Sequence, residues 1–277
     1  MGDNVGKNYI DNGIIKECTG SDPAAILDAH EGIKIYEVIR IIDGIPLFFE
    51  DHYIRMCKSF QSLGHACRIG AEEFREQIHR IVAVNENENC NIKFIIFSAN
   101  GEQRVLGYIS KSYYPSLEEI RNGVPVGLLP LERENPNIKL VDHDYKKKIN
   151  KIKAEKGFYE VFLVDREGNV TEGGTSNIFF IKGNKILTAS EEKVLKGITR
   201  MHVIEVCKDM GYEVVETSIA ASRLHEAEGV FLSGTSPKVL PVSSIDDIKY
   251  SSAKHPVIAA IREAFDDRIN EYLMKNR

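Results

Sequence analysis

Glu172-Gly173-Gly174-Thr175-Ser176-Asn177 is followed by Leu195-Lys196-Gly197-Ile198-Thr199-Arg200 and then by Ser233-Gly234-Thr235-Ser236. Each stretch couples glycine to hydroxyl side chains, between runs of β-formers or at the mouth of a helix. Backbone N–H groups and hydroxyls at such places suit a phosphate or a carboxylate. Three turns of this kind and one acid, Glu172, are what a small anionic cofactor needs. The strands that carry the turns make this half of the chain strand-rich, at 126–131, 158–164, 177–181 and 185–187. Arg166-Glu167-Gly168-Asn169 and Lys182-Gly183-Asn184 read as hairpin turns between them. A helix over 199–210 turns Val203, Ile204, Val206, Cys207 and Met210 inward, a short buried strand covers 230–232, and a closing helix runs over 256–274.

Upstream the pattern is mixed. Residues 34–42 alternate as a strand closed by Asp43-Gly44, a hairpin signal, with a return strand at 46–49. Two amphipathic helices follow. The first, 51–63, places Tyr53, Met56, Cys57, Phe60 and Leu63 on one face and stops at Gly64. The second, 71–84, places Phe74, Ile78, Ile81 and Val82 at helical spacing. Residues 92–97 and 107–110 read as further strands. A charged segment over 118–122 leads to Gly123-Val124-Pro125, which sets the expected boundary between a smaller N-terminal α+β domain, 1–122, and a larger C-terminal domain, 123–277. The expected fold is two α+β or α/β lobes with a cleft between them, where ligands often sit.

The totals fit that plan. The chain has 277 residues, of which 43% are apolar and 28% charged, enough for a substantial core. A net charge of −5 argues against nucleic acid as a partner. No apolar run approaches a membrane span, and residues 1–20 lack a signal-peptide core, so a cytoplasmic protein with no membrane partner is expected. Cys18, Cys57, Cys67, Cys90 and Cys207 are scattered and form no CxxC pair, so neither a disulfide framework nor a metal site is expected. The histidines show no metal-ligand or triad spacing.

Tyr36-Glu37-Val38-Ile39-Arg40, Val170-Thr171-Glu172-Gly173, Asn177-Ile178-Phe179, Leu195–Arg200 and Ser233-Gly234-Thr235, in this order, resemble the fold-type IV pyridoxal-phosphate enzymes, the class IV aminotransferases. That group includes branched-chain aminotransferases, D-amino-acid transaminases and 4-amino-4-deoxychorismate lyase. The resemblance covers residues 35–242 and implies pyridoxal 5'-phosphate as cofactor, held as an imine on a lysine. Relatives place a helix of several turns between that lysine and a Gly-x-Tyr-Glu strand. Counting back eighteen residues from Gly157-Phe158-Tyr159-Glu160 gives Lys139, in Asn137-Ile138-Lys139. Lys147-Lys148-Ile149-Asn150 imitates the Lys-x-x-Asn of several relatives but leaves too short a helix, and reads as a solvated helix face. Asp142 stands where relatives carry asparagine.

The resemblance also distributes roles. Lys139 would act as nucleophile and proton shuttle, which requires an unprotonated amine. Glu172 would face the pyridine nitrogen and keep it protonated. Arg55, nineteen residues after Tyr36, matches a phosphate arginine, whose fork suits phosphate bidentately. Gly197, Ile198 and Thr199 would present a helix N-terminus to the phosphate, aided by Thr235 and by the turn residues Thr175, Ser176 and Asn177. On the substrate side stand Tyr36, Lys93, Arg104 and Ser236, with Lys93, Arg104 and Lys238 each a candidate for the substrate carboxylate. The implied activity is amino transfer between a small α-amino acid, of branched-chain or D-amino-acid type, and a 2-oxo acid, by a homodimer. A carbon–carbon lyase on the same cofactor, and a non-catalytic cofactor-binding protein, are the alternatives.

Overall fold

The computed structural model describes residues 3–19, 23, 25–28, 32–99 and 101–277. Among them the chain forms two compact units, one of Met1–Tyr113, Ile138–Val141 and Ile269–Arg277, the other of Tyr114–Asn137 and Asp142–Arg268. The division falls at Tyr113 rather than after Asn122, and the segment bearing Lys139 packs with the first unit. The reason is local: Ile35 and Leu140 form an antiparallel bridge, which stitches 138–141 to the N-terminal sheet.

The first unit contains β1 (Asn4–Asp11), β2 (Ile14–Glu17), the single-turn α1 (Ala25–Asp28), β3 (Ile33–Ile42), β4 (Ile45–Pro46), α2 (Phe49–Ser62), α3 (Ala71–Asn85), β5 (Asn91–Ala99) and β6 (Glu102–Ser110). Its sheet runs β2-β1-β6-β5-β3-β4, with antiparallel neighbours throughout. Asp43 and Gly44 both take positive φ, 50° and 77°, which suits a two-residue turn of the mirror-image type. The return strand is shorter than expected. Phe48 turns left-handed at φ 52° and caps α2, so the chain enters the helix at Phe49 instead of extending β4. One sheet face carries Ile35, Ile39, Ile41, Ile92, Phe94 and Ile96 into a core with α2 and α3. There Phe74 meets Phe94 edge-on at 4.7 Å. The other face carries a smaller cluster of Ile95, Leu106 and Tyr108, against which Tyr36, Phe97 and Val141 pack.

The second unit contains α4 (Leu117–Asn122), β7 (Val124–Pro130), α5 (His143–Lys156), β8 (Glu160–Val164), β9 (Asn169–Gly173), β10 (Asn177–Lys182), β11 (Lys185–Thr188), α6 (Ile198–Asp209), β12 (Glu213–Glu216), β13 (Ile219–Ala220), β14 (Gly229–Gly234), β15 (Lys238–Ile245) and β16 (Ile248–Lys249). The closing helix α7 runs Pro256–Lys275. The mixed sheet is ordered β12-β11-β10-β14-β15-β7-β8-β9-β13, with β16 beside β15. Phe162, Ile178, Phe180, Val230, Leu232 and Leu240 are among the residues that fill its core. The hairpin turn before β9 takes Gly168 at φ 81°, and the one before β11 takes Gly183 at φ 58°, at the two places the sequence marks. Cys18, Cys57, Cys67, Cys90 and Cys207 are all free thiols.

Candidate active site

In the first unit, residues 138–141 lie along β3 on the side away from β5. Tyr36 N–H donates to the Lys139 carbonyl at 2.9 Å, and Val141 N–H donates to that of Lys34 at 2.9 Å. Residues opposed across such a bridge share a face. Lys139 Nζ accordingly stands 4.6 Å from the centre of the Tyr36 ring, close enough for a cation–π contact whenever the amine is charged. Lys93, on β5, approaches the same ring at 5.2 Å and that of Tyr108 at 5.9 Å.

The alternation of β3 sends Glu37 to the opposite face, under α2. It is fully buried there. Arg55 closes its fork on it, Nε to Oε1 at 2.8 Å and Nη2 to Oε2 at 2.5 Å. His52 Nδ1 lies 2.8 Å from Oε2. Burial alone would raise the Glu37 pKa, but the Arg55 charge and the hydrogen bonds from His52 and Arg55 outweigh it and hold the group at about 2. His52 is lowered, first by burial and then by the charges of Arg55 and Lys139, against the pull of Glu37. A neutral His52 facing an ionised carboxylate must carry its proton on Nδ1 and donate it. The fork of Arg55 is thus aimed and fixed by a carboxylate below it.

The second unit gathers the glycine turns. Glu172, next to last in β9, is almost without exposure. Its Oε2 accepts from Leu195 N–H at 2.9 Å and its Oε1 from Arg133 Nη1 at 3.0 Å. Asn177, at the start of β10, donates from Nδ2 to the Leu195 carbonyl at 2.9 Å. The same loop ends at Gly197, where an added Cβ would come within 2.2 Å of Asn177 Oδ1. Only glycine lets the loop lie this close. Gly197 is the N-cap of α6 and supplies no side-chain cap, so the first N–H groups of a twelve-residue helix are left to other acceptors. Asn177 pairs with Ser233 across β10 and β14. The buried Ser233 Oγ has no hydrogen-bond partner among the described residues. Thr235 and Ser236 follow in the half-buried turn between β14 and β15.

Several candidates sit differently from expectation. The Thr175 hydroxyl donates to Glu160 Oε2 at 2.6 Å and its N–H to the same oxygen at 3.0 Å, while Ser176 Oγ donates there at 3.3 Å. These two hydroxyls therefore brace their own turn around the buried Glu160 instead of opening toward a ligand. The three candidate carboxylate-binding cations all hold aspartates: Lys93 pairs with Asp3 at 2.8 Å, Arg104 with Asp11 through a two-point fork, and Lys238 with Asp266 at 2.8 Å. Asp142 caps α5 by accepting from Tyr145 N–H at 2.8 Å, the task an asparagine would perform there. Lys147 projects from the exposed face of α5. Sequence reading passed over Arg133, Glu160 and Glu37 as organisers. Arg133 lies in an irregular loop without periodicity; Glu37 shares the buried face of β3 with Ile35 and Ile39, and Glu160 opens the apolar strand β8, placements that do mark a buried acid with a partner. Among the described residues no group of three His, Cys, Asp or Glu side chains could hold a metal ion, and no helix is long and apolar enough to cross a membrane.

A D-alanine aminotransferase of Bacillus licheniformis is 28% identical over 251 residues, covering 86% of this chain and 88% of the relative. An aminodeoxychorismate lyase of Bacillus subtilis is 23% identical over 262 residues, with 87% of each chain covered. Among solved structures, the branched-chain amino acid aminotransferase from Escherichia coli superposes with a TM-score of 0.80 at 22% identity, covering 95% of this chain and 94% of that one. The family described as amino-transferase class IV matches residues 34–245. The chain therefore belongs to the class IV aminotransferases, the fold-type IV enzymes that depend on pyridoxal phosphate.

Proposed function

We propose that the chain moves an amino group between a small α-amino acid with an uncharged side chain, of the branched-chain or D-amino-acid type, and a 2-oxo acid. The observation that carries this reading is Lys139: a half-buried amine over an aromatic ring, on a sheet face lined by Ile95, Leu106 and Tyr108. Pyridoxal phosphate, when bound, supplies a carbonyl carbon that takes and returns the amino group and a ring that draws off electron density. The residues present fit it. The uncapped start of α6, the orphaned Ser233 hydroxyl and the close approach at Gly197 form a neutral donor set suited to a phosphate.

Within this reading Lys139 bears the cofactor and moves the α-proton at its Nζ. Glu172 keeps a proton on the ring nitrogen, with Arg133 and the Leu195 amide fixing the carboxylate's orientation. Ile198 and Thr199 offer N–H groups, and Thr235 a hydroxyl, to the phosphate, with Arg55 as the cationic candidate. Tyr36 walls the substrate side. Ser236 N–H is a neutral donor for the substrate carboxylate. Homodimer assembly rests on the resemblance, and sedimentation at twice the chain mass tests it.

Holoenzyme incubated with separate L- and D-amino-acid panels, with 2-oxoglutarate or pyruvate as acceptor, is expected to aminate the acceptor from alanine-sized to leucine-sized donors. Release of pyruvate from an amino-bearing chorismate-type substrate without any acceptor would support the lyase reading instead. Inertness toward every donor despite bound cofactor would support a binding protein.

A further inference from the structure

Arg200 stands in the first turn of α6, just past the Gly197 N-cap, and its side chain is only 5% exposed. A helix start favours negative charge, yet this one has no acidic residue in its first turn and a buried cation instead. The contacts of that cation lead back to the loop 189–197, which carries the chain from β11 into α6. Arg200 Nη2 donates to the Ala189 carbonyl at 2.9 Å and to Glu216 Oε2 at 2.8 Å. The same Glu216 oxygen accepts from Glu191 N–H at 2.9 Å. Glu216 is placed by the parallel pairing of β12 with β11, opposite Thr188. The far end of the loop is fastened at Leu195, by Asn177 and Glu172. Its near end is fastened by Arg200, which reaches back from the helix that the loop feeds.

We propose that Arg200 is a positioning residue for the cofactor's phosphate: through Ala189 and Glu216 it ties loop 189–197 to the first turn of α6 and keeps the Ile198 and Thr199 N–H groups pre-set for the anion. This role deepens the proposed function and rests on its assignment of that helix start to the phosphate. Backbone donors bind an anion well when they are held in place beforehand, because a loose loop has to be ordered at the expense of affinity. With the clamp closed, that ordering precedes the ligand. Glu216 is 39% exposed, so water can take over its carboxylate when the pair is broken, and the loss falls on the loop.

Equilibrium dialysis of the full chain against pyridoxal phosphate, and against pyridoxal, which lacks the phosphate, reads this role directly. Arg200→Met is expected to weaken pyridoxal phosphate roughly tenfold, equal to about one charge-assisted hydrogen bond, with pyridoxal changed less than about twofold. Glu216→Ala leaves the guanidinium but opens the clamp, and should weaken pyridoxal phosphate about threefold or more. Arg200→Met/Glu216→Ala should lose little beyond Arg200→Met alone, since both changes undo one contact. Equal losses for the two ligands, no loss for either, or additive losses in the double variant would overturn the proposal. So would wild-type affinity in Glu216→Ala, which would make Arg200 a direct charge on the phosphate and not a clamp. Glu216 lies on the edge strand β12, so its variant carries the test should Arg200→Met fail to fold, and melting curves report which proteins are folded. Because affinity is read without turnover, a wild-type enzyme that transfers no amino group would count against the proposed function and not against the Arg200 assignment.

Discussion

At the scale of single residues, two lysines compete for the cofactor, and their surroundings separate them. Lys139 is half-buried, lies over Tyr36, and exerts its charge on the buried His52. Lys147 stands in water on α5 beside Lys146 and Lys148. A nucleophilic amine has to lose its proton, which partial desolvation favours and bulk water does not. Reduction of the holoenzyme with borohydride fixes the cofactor on the lysine that bears it. Peptide mapping is then expected to find the label at position 139, to lose it in Lys139→Ala, and to retain nearly all of it in Lys147→Ala; the opposite pattern would reject Lys139. In the sequence the choice of Lys139 rests on the resemblance, whose members place a helix of several turns between the lysine and a Gly-x-Tyr-Glu strand; α5 occupies that interval here. Nothing comparable announced Arg133, which sits in an irregular loop while its partner Glu172 lies thirty-nine positions on, beyond α5 and β8.

Elements were legible where their signals are local. The Asp43-Gly44 turn and the turns at Gly168 and Gly183 require left-handed backbone, and the sequence supplies glycine there. The strand β15 was hidden by Pro241, which sits opposite Phe231 in the interior of the sheet, where proline ordinarily argues against a strand. The strands β1 and β2 were hidden for another reason: much of each is exposed or half-exposed, so apolar alternation never develops. The start of α6 is the element on which the phosphate reading depends, and Gly197 is its fixed point. An alanine there meets Asn177 Oδ1 at 2.2 Å, too close for any real Cβ, so the loop or Asn177 must move and the Asn177–Leu195 hydrogen bond is strained. Gly197→Ala is expected to weaken pyridoxal-phosphate affinity on the order of tenfold, read by equilibrium dialysis. Because Asn177→Ala removes the obstructing amide, Gly197→Ala in that background should cost much less than in the wild type. Equal losses in both backgrounds would disprove the clash as the cause.

For the molecule as a whole, acid is the condition that tests how its buried charges are arranged. Glu37 is held at about 2, Glu50 and Asp11 are lowered, and His52 is lowered from its ordinary range. The signs agree. A carboxylate with a depressed folded-state pKa contributes stability above its unfolded value, and that contribution fades as pH falls toward the folded value. A histidine kept neutral by burial also disfavours the fold once its unfolded form takes a proton. Stability should therefore decline below about pH 6.5 and fall most steeply between 4.5 and 2, the window set by Glu37. The fully buried Glu37 accounts for about 3 kcal/mol of that fall, an order-of-magnitude figure from a depression of this size. Glu37→Gln removes the charge that holds Arg55 while sparing the shape of the site. At pH 7 it is expected to lower the urea-unfolding free energy by about 3 kcal/mol, since a buried guanidinium loses its counter-ion. Its curve should then flatten below pH 4.5 and approach the wild type near pH 2.5. Parallel curves for the two proteins across that range, followed by circular dichroism, would show that Glu37 is not the group whose protonation unseats the fold in acid.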